Sequence, residues 1–126
     1  MVVTQFRSKR KPSGGRYRAH GKKKLCHSGN HPALPKIGER QAKMFRIKGG
    51  HTKLKIAFDN FVNVIDQATK KASKVKMKTV VDCPANKQYT RQNILIKGSV
   101  VDTELGKVRI TNRPAQDGCV NGILIK

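Results

Sequence analysis

Negative charge is scarce in this sequence: seven Asp and Glu stand against 28 Lys and Arg, a formal net charge of +21 in 126 residues. Such an imbalance loads the compact state with self-repulsion unless something anionic neutralises it, so a polyanionic partner is the leading expectation. The carboxylates Glu39, Asp59, Asp66, Asp82, Asp102, Glu104 and Asp117 are isolated and mostly fall at turns or strand ends. That distribution suits turn residues and local charge partners, and it denies an enzyme the convergent acid and base it needs. Long apolar runs are missing as well. None approaches the length of a membrane-spanning helix, and Met1–Gln5 lacks the basic, apolar and small-residue succession of a secretory signal, so a soluble cytoplasmic chain is expected. Cysteine is sparse and odd in number, at Cys26, Cys83 and Cys119, which fits reduced thiols rather than a disulfide framework.

Metal and nucleotide chemistry are disfavoured on spacing. Cys26, His27 and His31 bring three potential ligands close together, but Cys83 and Cys119 are singletons where a structural site would want two close pairs. No metal and no cofactor is expected. The segment "KGGHTK", Lys48–Lys53, has glycines and lysine without the spacing of a phosphate-cradling loop, and it joins two strands instead of leading into a helix. No small-molecule substrate is implied, and no membrane partner, since the basic tract has too few apolar residues for an amphipathic helix.

Cations are abundant, and they are concentrated. With Arg7, the stretch "SKRKPSGGRYRAHGKKK" holds nine Lys or Arg, His20 and no carboxylate. Residues 1–58 carry 16 Lys or Arg against Glu39 alone. The apolar residues of this region, Phe6, Tyr17, Leu25 and Leu34, follow neither a helical nor a strand period. Residues 1–40 are therefore expected to be an extended basic arm that takes shape only on binding. Gly14 and Gly15 let it bend. Lys9, Arg10, Lys11, Arg16, Arg18, His20, Lys22, Lys23 and Lys24 can meet phosphates, and Tyr17 can stack on a base.

From Gln41 the pattern changes to strand-like alternation, and residues 41–126 are expected to form a small antiparallel β-barrel, with a sandwich as the alternative. "KMFRIKGGHTKLKIAF" alternates on both sides of Gly49–Gly50 and predicts a hairpin whose tip carries Arg46, Lys48, His51, Lys53 and Lys55. Lys36, Arg40 and Lys43 extend the basic surface toward it. "FVNVI" and "KVKMKTVV" predict a second strand pair around the polar stretch Asp66–Ser73. One short helix or 3₁₀ turn is expected near Ala85–Arg91 after Pro84, and three or four strands after it.

Taken together, "RKPSGGRYRAHGKKK", "KIGER", "KGGHTKLK" and "PANKQYTRQNILIKGSVVDTELGKVRITNRPAQDGCVNGILI" resemble the e-type small-subunit ribosomal protein eight family of archaea and eukaryotes. That family is unrelated to the bacterial protein bearing the same number, and the short second half is similar to the archaeal form. The resemblance implies a non-catalytic constituent of the small ribosomal subunit, a β-barrel packed on ribosomal RNA beside neighbouring small-subunit proteins, with the arm threaded among RNA helices. It also implies RNA contacts at Lys9–Lys11, Gly14–Arg16, Arg18, Lys22–Lys24 and the Arg46–Gly50 turn. His27–Gly29 and His51–Thr52 depart from the residues usual in the family. The alternative from charge alone is a free-standing RNA or DNA chaperone, or a chromatin-like protein.

Overall fold

The computed structural model describes residues 7–18, 21, 22 and 24–125. The chain divides into two compact units, Met1–Pro32 and Ala33–Lys126. Residues 33–40, read above as the end of the arm, lie in the second unit, because strand β1, Lys36–Ile37, pairs in parallel with β3, Thr52–Asp59. Backbone bonds from the Leu95 N–H to the Pro35 carbonyl (2.8 Å) and from the Ile37 N–H to the Asn93 carbonyl (3.3 Å) tie the same segment to residues 93–95.

The glycine hairpin forms as the alternation predicts. β2, Gln41–Arg46, runs antiparallel to β3, and Lys48–Gly50 makes the turn. Gly49 and Gly50 adopt φ of 74° and 76°, the left-handed region that residues with a Cβ avoid. This hairpin is not part of the barrel, however. It belongs to a separate three-stranded sheet in the order β1-β3-β2, whereas the closed barrel comprises β4-β5-β6-β7-β8. These are β4 Phe61–Ile65, β5 Ala72–Asp82, β6 Val100–Thr103, β7 Gly106–Ile110 and β8 Asn121–Leu124.

Four of the five barrel interfaces are antiparallel; the fifth, β4 with β8, is parallel through Asn63↔Asn121, Val64↔Gly122 and Ile65↔Ile123. Val62 and Val64 of β4, Val75, Met77 and Val80 of β5, Val101, Val108 and Ile110 all point inward, with Ile56, Leu95 and Val120 completing the core. In β5 the inward positions run 75, 77 and then 80, a change of phase that coincides with register breaks at Met77/Thr79 and Val80/Asp82. Bulges of this kind bend a strand and so help a short sheet to close. The displaced Val80 N–H donates to Asn93 Oδ1 at 3.1 Å, so a side chain outside the sheet replaces the missing ladder partner.

The expected short helix is α1, Lys87–Arg91, capped by Asn86, whose side chain accepts from the Gln88 N–H at 2.9 Å. A second one, α2 at Pro114–Asp117, stands where only turns were expected; Pro114 opens it and the left-handed Gly118 ends it. No helix among the described residues is long and apolar enough to cross a membrane.

Candidate nucleic-acid interface

In the first unit, residues 7–18 make a tight loop through local backbone interactions. The Lys11 N–H donates to the Gly15 carbonyl (2.7 Å), the Gly14 N–H to the Lys11 carbonyl (3.0 Å), and the Tyr17 N–H to the Lys9 carbonyl (3.1 Å). Arg10 and Arg16 face each other in an isolated bridge, and the Arg10 guanidinium donates to the Gly14 carbonyl at 3.0 Å. Gly14, at φ 86°, makes the bend. The segment read above as shapeless thus has a local turn, although none of its side chains is buried.

The loop gathers cations around one aromatic ring. The Arg7 guanidinium lies 4.0 Å from the Tyr17 ring centroid and the Lys11 ammonium 5.7 Å from it. Lys9, Arg10, Lys11, Arg16, Arg18, Lys22 and Lys24 are exposed, as are Gly14 and Gly15. His20 and Lys23 lie outside the described residues.

In the second unit the register of the hairpin assembles a second basic and aromatic group. Lys43 pairs with Lys55 and Phe45 with Lys53. Directly paired residues share a face of the sheet, as do alternate residues along each strand, so Lys43, Phe45, Lys53 and Lys55 form one cluster. The Lys55 and Lys43 ammonium groups lie 5.0 and 5.6 Å from the Phe45 centroid. Phe45 is 39% exposed, and every residue of β2 is exposed. An open ring framed by lysines offers a base a stacking surface and its backbone several counter-charges. Phe45 was absent from the residues singled out above. Its signal lies in "KMFRIK", an aromatic set among basic residues with Lys43 on its own face, but alternation alone does not say which face meets water.

The other predicted hairpin residues are distributed unevenly. Arg46 ends β2 beside the turn and Lys48 lies in it with Gly49 and Gly50, all four exposed. Lys36 is exposed at the end of the sheet opposite the turn. Lys53 already donates to the Gln116 side chain at 2.6 Å. Arg40 is half exposed and already engaged: its guanidinium contacts Asp59 at 3.4 Å and donates to the Gly118 carbonyl at 3.3 Å. Its first role is therefore to neutralise a buried carboxylate.

Among the described residues no three His, Cys, Asp or Glu gather as metal ligands. Asp82 accepts from the Cys83 N–H and Asp117 from the Arg113 N–H, the local turn duties expected of them.

A family profile described as Ribosomal protein S8e matches residues 4–125. The small ribosomal subunit protein eS8 of Methanocella arvoryzae is 46% identical over 121 residues, covering 96% of this chain and 97% of the relative. The protein of that name in Methanocorpusculum labreanum is 43% identical over 125 residues, covering 99% and 100%. That of Picrophilus torridus is 38% identical over 125 residues, with the same coverage.

Proposed function

Since the chain belongs to the ribosomal protein S8e family, we propose that it is a structural constituent of the small ribosomal subunit that binds and stabilises folded ribosomal RNA. The observation that carries this reading is the match over residues 4–125, which spans both the arm and the barrel. The geometry supports the mode of binding. The arm supplies counter-charges around Tyr17, and the hairpin supplies Lys43, Lys53 and Lys55 around Phe45 with Arg46 and Lys48 at its tip. Association is driven by release of ions condensed on RNA, and the two rings give flipped or unpaired bases a place to stack. Neighbouring small-subunit proteins complete the setting, and no reaction is assigned to any residue.

The test is binding of purified protein to small-subunit RNA across a salt series. With about eight cations engaged, log affinity is expected to fall with log salt at a slope of roughly −6 to −7. R46E/K48E separates this reading from a free-standing chaperone. A docked hairpin requires those charges, so the variant should fail to enter small subunits that wild type joins and holds through a salt wash. A chaperone working through the arm alone would leave R46E/K48E indistinguishable from wild type.

A further inference from the structure

The second strand pair of this protein carries a charge pattern that neither the arm nor the glycine hairpin accounts for. From Lys70 to Lys78 the sequence "KKASKVKMK" holds five lysines and no carboxylate. Val75 and Met77 of β5 point into the barrel, so Lys74 and Lys76 point outward, and Lys78 is exposed at the bulge that follows them. Alternate residues of a strand stand about 7 Å apart, close enough for their charges to oppose one another. None of the three lies within ion-pairing distance of a carboxylate among the described residues.

The neighbouring strand continues the face. Phe61, Asn63 and Ile65 of β4 are exposed opposite Lys76, Lys74 and Ala72. Phe61 is 42% exposed, and the Lys74 ammonium lies 4.6 Å from its ring centroid. The nearby Asp66 is committed to the loop, its carboxylate accepting from the Ala68 N–H at 3.0 Å and the Thr69 hydroxyl at 2.8 Å. At the tip, Lys70 adopts a left-handed φ of 54° and Lys71 is exposed beside it.

We infer that the outer face of β4 and β5 is a second RNA-binding surface, with Lys74, Lys76 and Lys78 following the phosphates of one strand and Phe61 stacking against a base. RNA fits better than an acidic protein because the cations follow one another along a single strand, as phosphates do, beside an open ring of the kind that takes a base. The face repeats on the barrel the arrangement seen around Phe45. The inference rests on the RNA-binding reading above but concerns residues in a different sheet, so it can fail alone.

The experiment compares wild type, K74Q/K76Q/K78Q and a control, K87Q/K97Q/K107Q, which removes equal charge from exposed positions elsewhere. Each is titrated with small-subunit RNA from 50 to about 300 mM salt after thermal melting has shown it folded. K74Q/K76Q/K78Q is expected to bind at least tenfold more weakly at 100 mM salt, with a log–log slope shallower by about 2 to 3, and the control to lose less than half of either. Phe61→Leu, which keeps an apolar group, is expected to lower affinity at least fivefold with the slope unchanged. Equal losses in the two triple variants would reduce the face to diffuse charge and overturn the inference. So would unaltered RNA affinity in K74Q/K76Q/K78Q accompanied by poor retention on subunits, the sign of a protein partner. Failure of wild type to bind RNA at all would instead remove the reading on which the inference rests.

Discussion

Asp59 is almost wholly enclosed, with 2% of its side chain exposed, while its partner Arg40 is 51% exposed. One carboxylate oxygen accepts from the Phe61 N–H at 3.1 Å and the other faces the guanidinium. Removing the arginine strands a buried negative charge, although solvent reaching the Arg40 side softens the loss relative to a fully buried pair. Arg40→Met is expected to lower unfolding free energy by about 1–3 kcal/mol in urea denaturation. Asp59→Asn keeps an acceptor for the Phe61 N–H, and R40M/D59N should be more stable than the sum of the single changes predicts. Gly122 is a second sensitive position. A Cβ there would collide with Val108 Cγ1 and lie 2.9 Å from the Arg109 carbonyl oxygen, and the backbone atom has no rotamer to escape into. Gly122→Ala is expected to cost about 1–3 kcal/mol by the same assay. Neither demand was legible in the sequence. Asp59 reads as one more turn carboxylate, and Gly122 as one more turn glycine, until strands distant in sequence are brought against them.

At the scale of the element, local patterning was the reliable guide. The hairpin at Gly49–Gly50, the strand at Phe61–Ile65, the strand read at Lys74–Val81 and found at Ala72–Asp82, and the helix after Pro84 follow from alternation, paired glycines and a proline, all of which act over a few residues. Which sheet each strand joins depends on contacts remote in sequence. The hairpin alternates as a barrel strand would, yet it pairs with Lys36–Ile37 instead, and its apolar residues Met44 and Phe45 remain exposed. On the proposed reading the hairpin also sets binding against stability. Lys43 directly opposite Lys55 is an unfavourable cross-strand pair. K43Q/K55Q is expected to leave the free protein as stable as wild type or slightly more so in thermal melting. The same change should weaken RNA binding and make the salt slope shallower by about 1.4 to 1.8. Phe45→Ala should lose about 1–3 kcal/mol of RNA affinity with the slope unchanged, which separates stacking from ion release in one titration.

For the molecule as a whole, a net charge of +21 should make salt act in opposite directions on the free protein and on the proposed RNA complex. In the free protein, screening relieves repulsion between like charges, so the melting temperature should rise between 50 and about 500 mM salt. In the RNA complex the same salt removes the gain from counterion release, so the complex should melt progressively closer to the free protein. Parallel melting curves with and without RNA check both trends, and a free protein that melts lower at high salt would contradict them. The core explains how the chain withstands its charge. Val62, Val64, Val101, Val108 and Ile110 are enclosed on the inner face of the barrel, and the barrel lysines project from the outer face.

The parallel seam between β4 and β8 dictates an order of events while the chain is being made. Synthesis proceeds from the amino end, so Phe61–Ile65 emerges long before Asn121–Leu124, its partner on one side. During that interval Asn63, Val64 and Ile65 present an unmated edge, able to recruit strands from other nascent chains. Pairing between segments so far apart is also slow to nucleate. Translation stalled before Asn121 therefore leaves an adhesive open sheet, and arrival of β8 is the moment at which this edge ceases to endanger its neighbours.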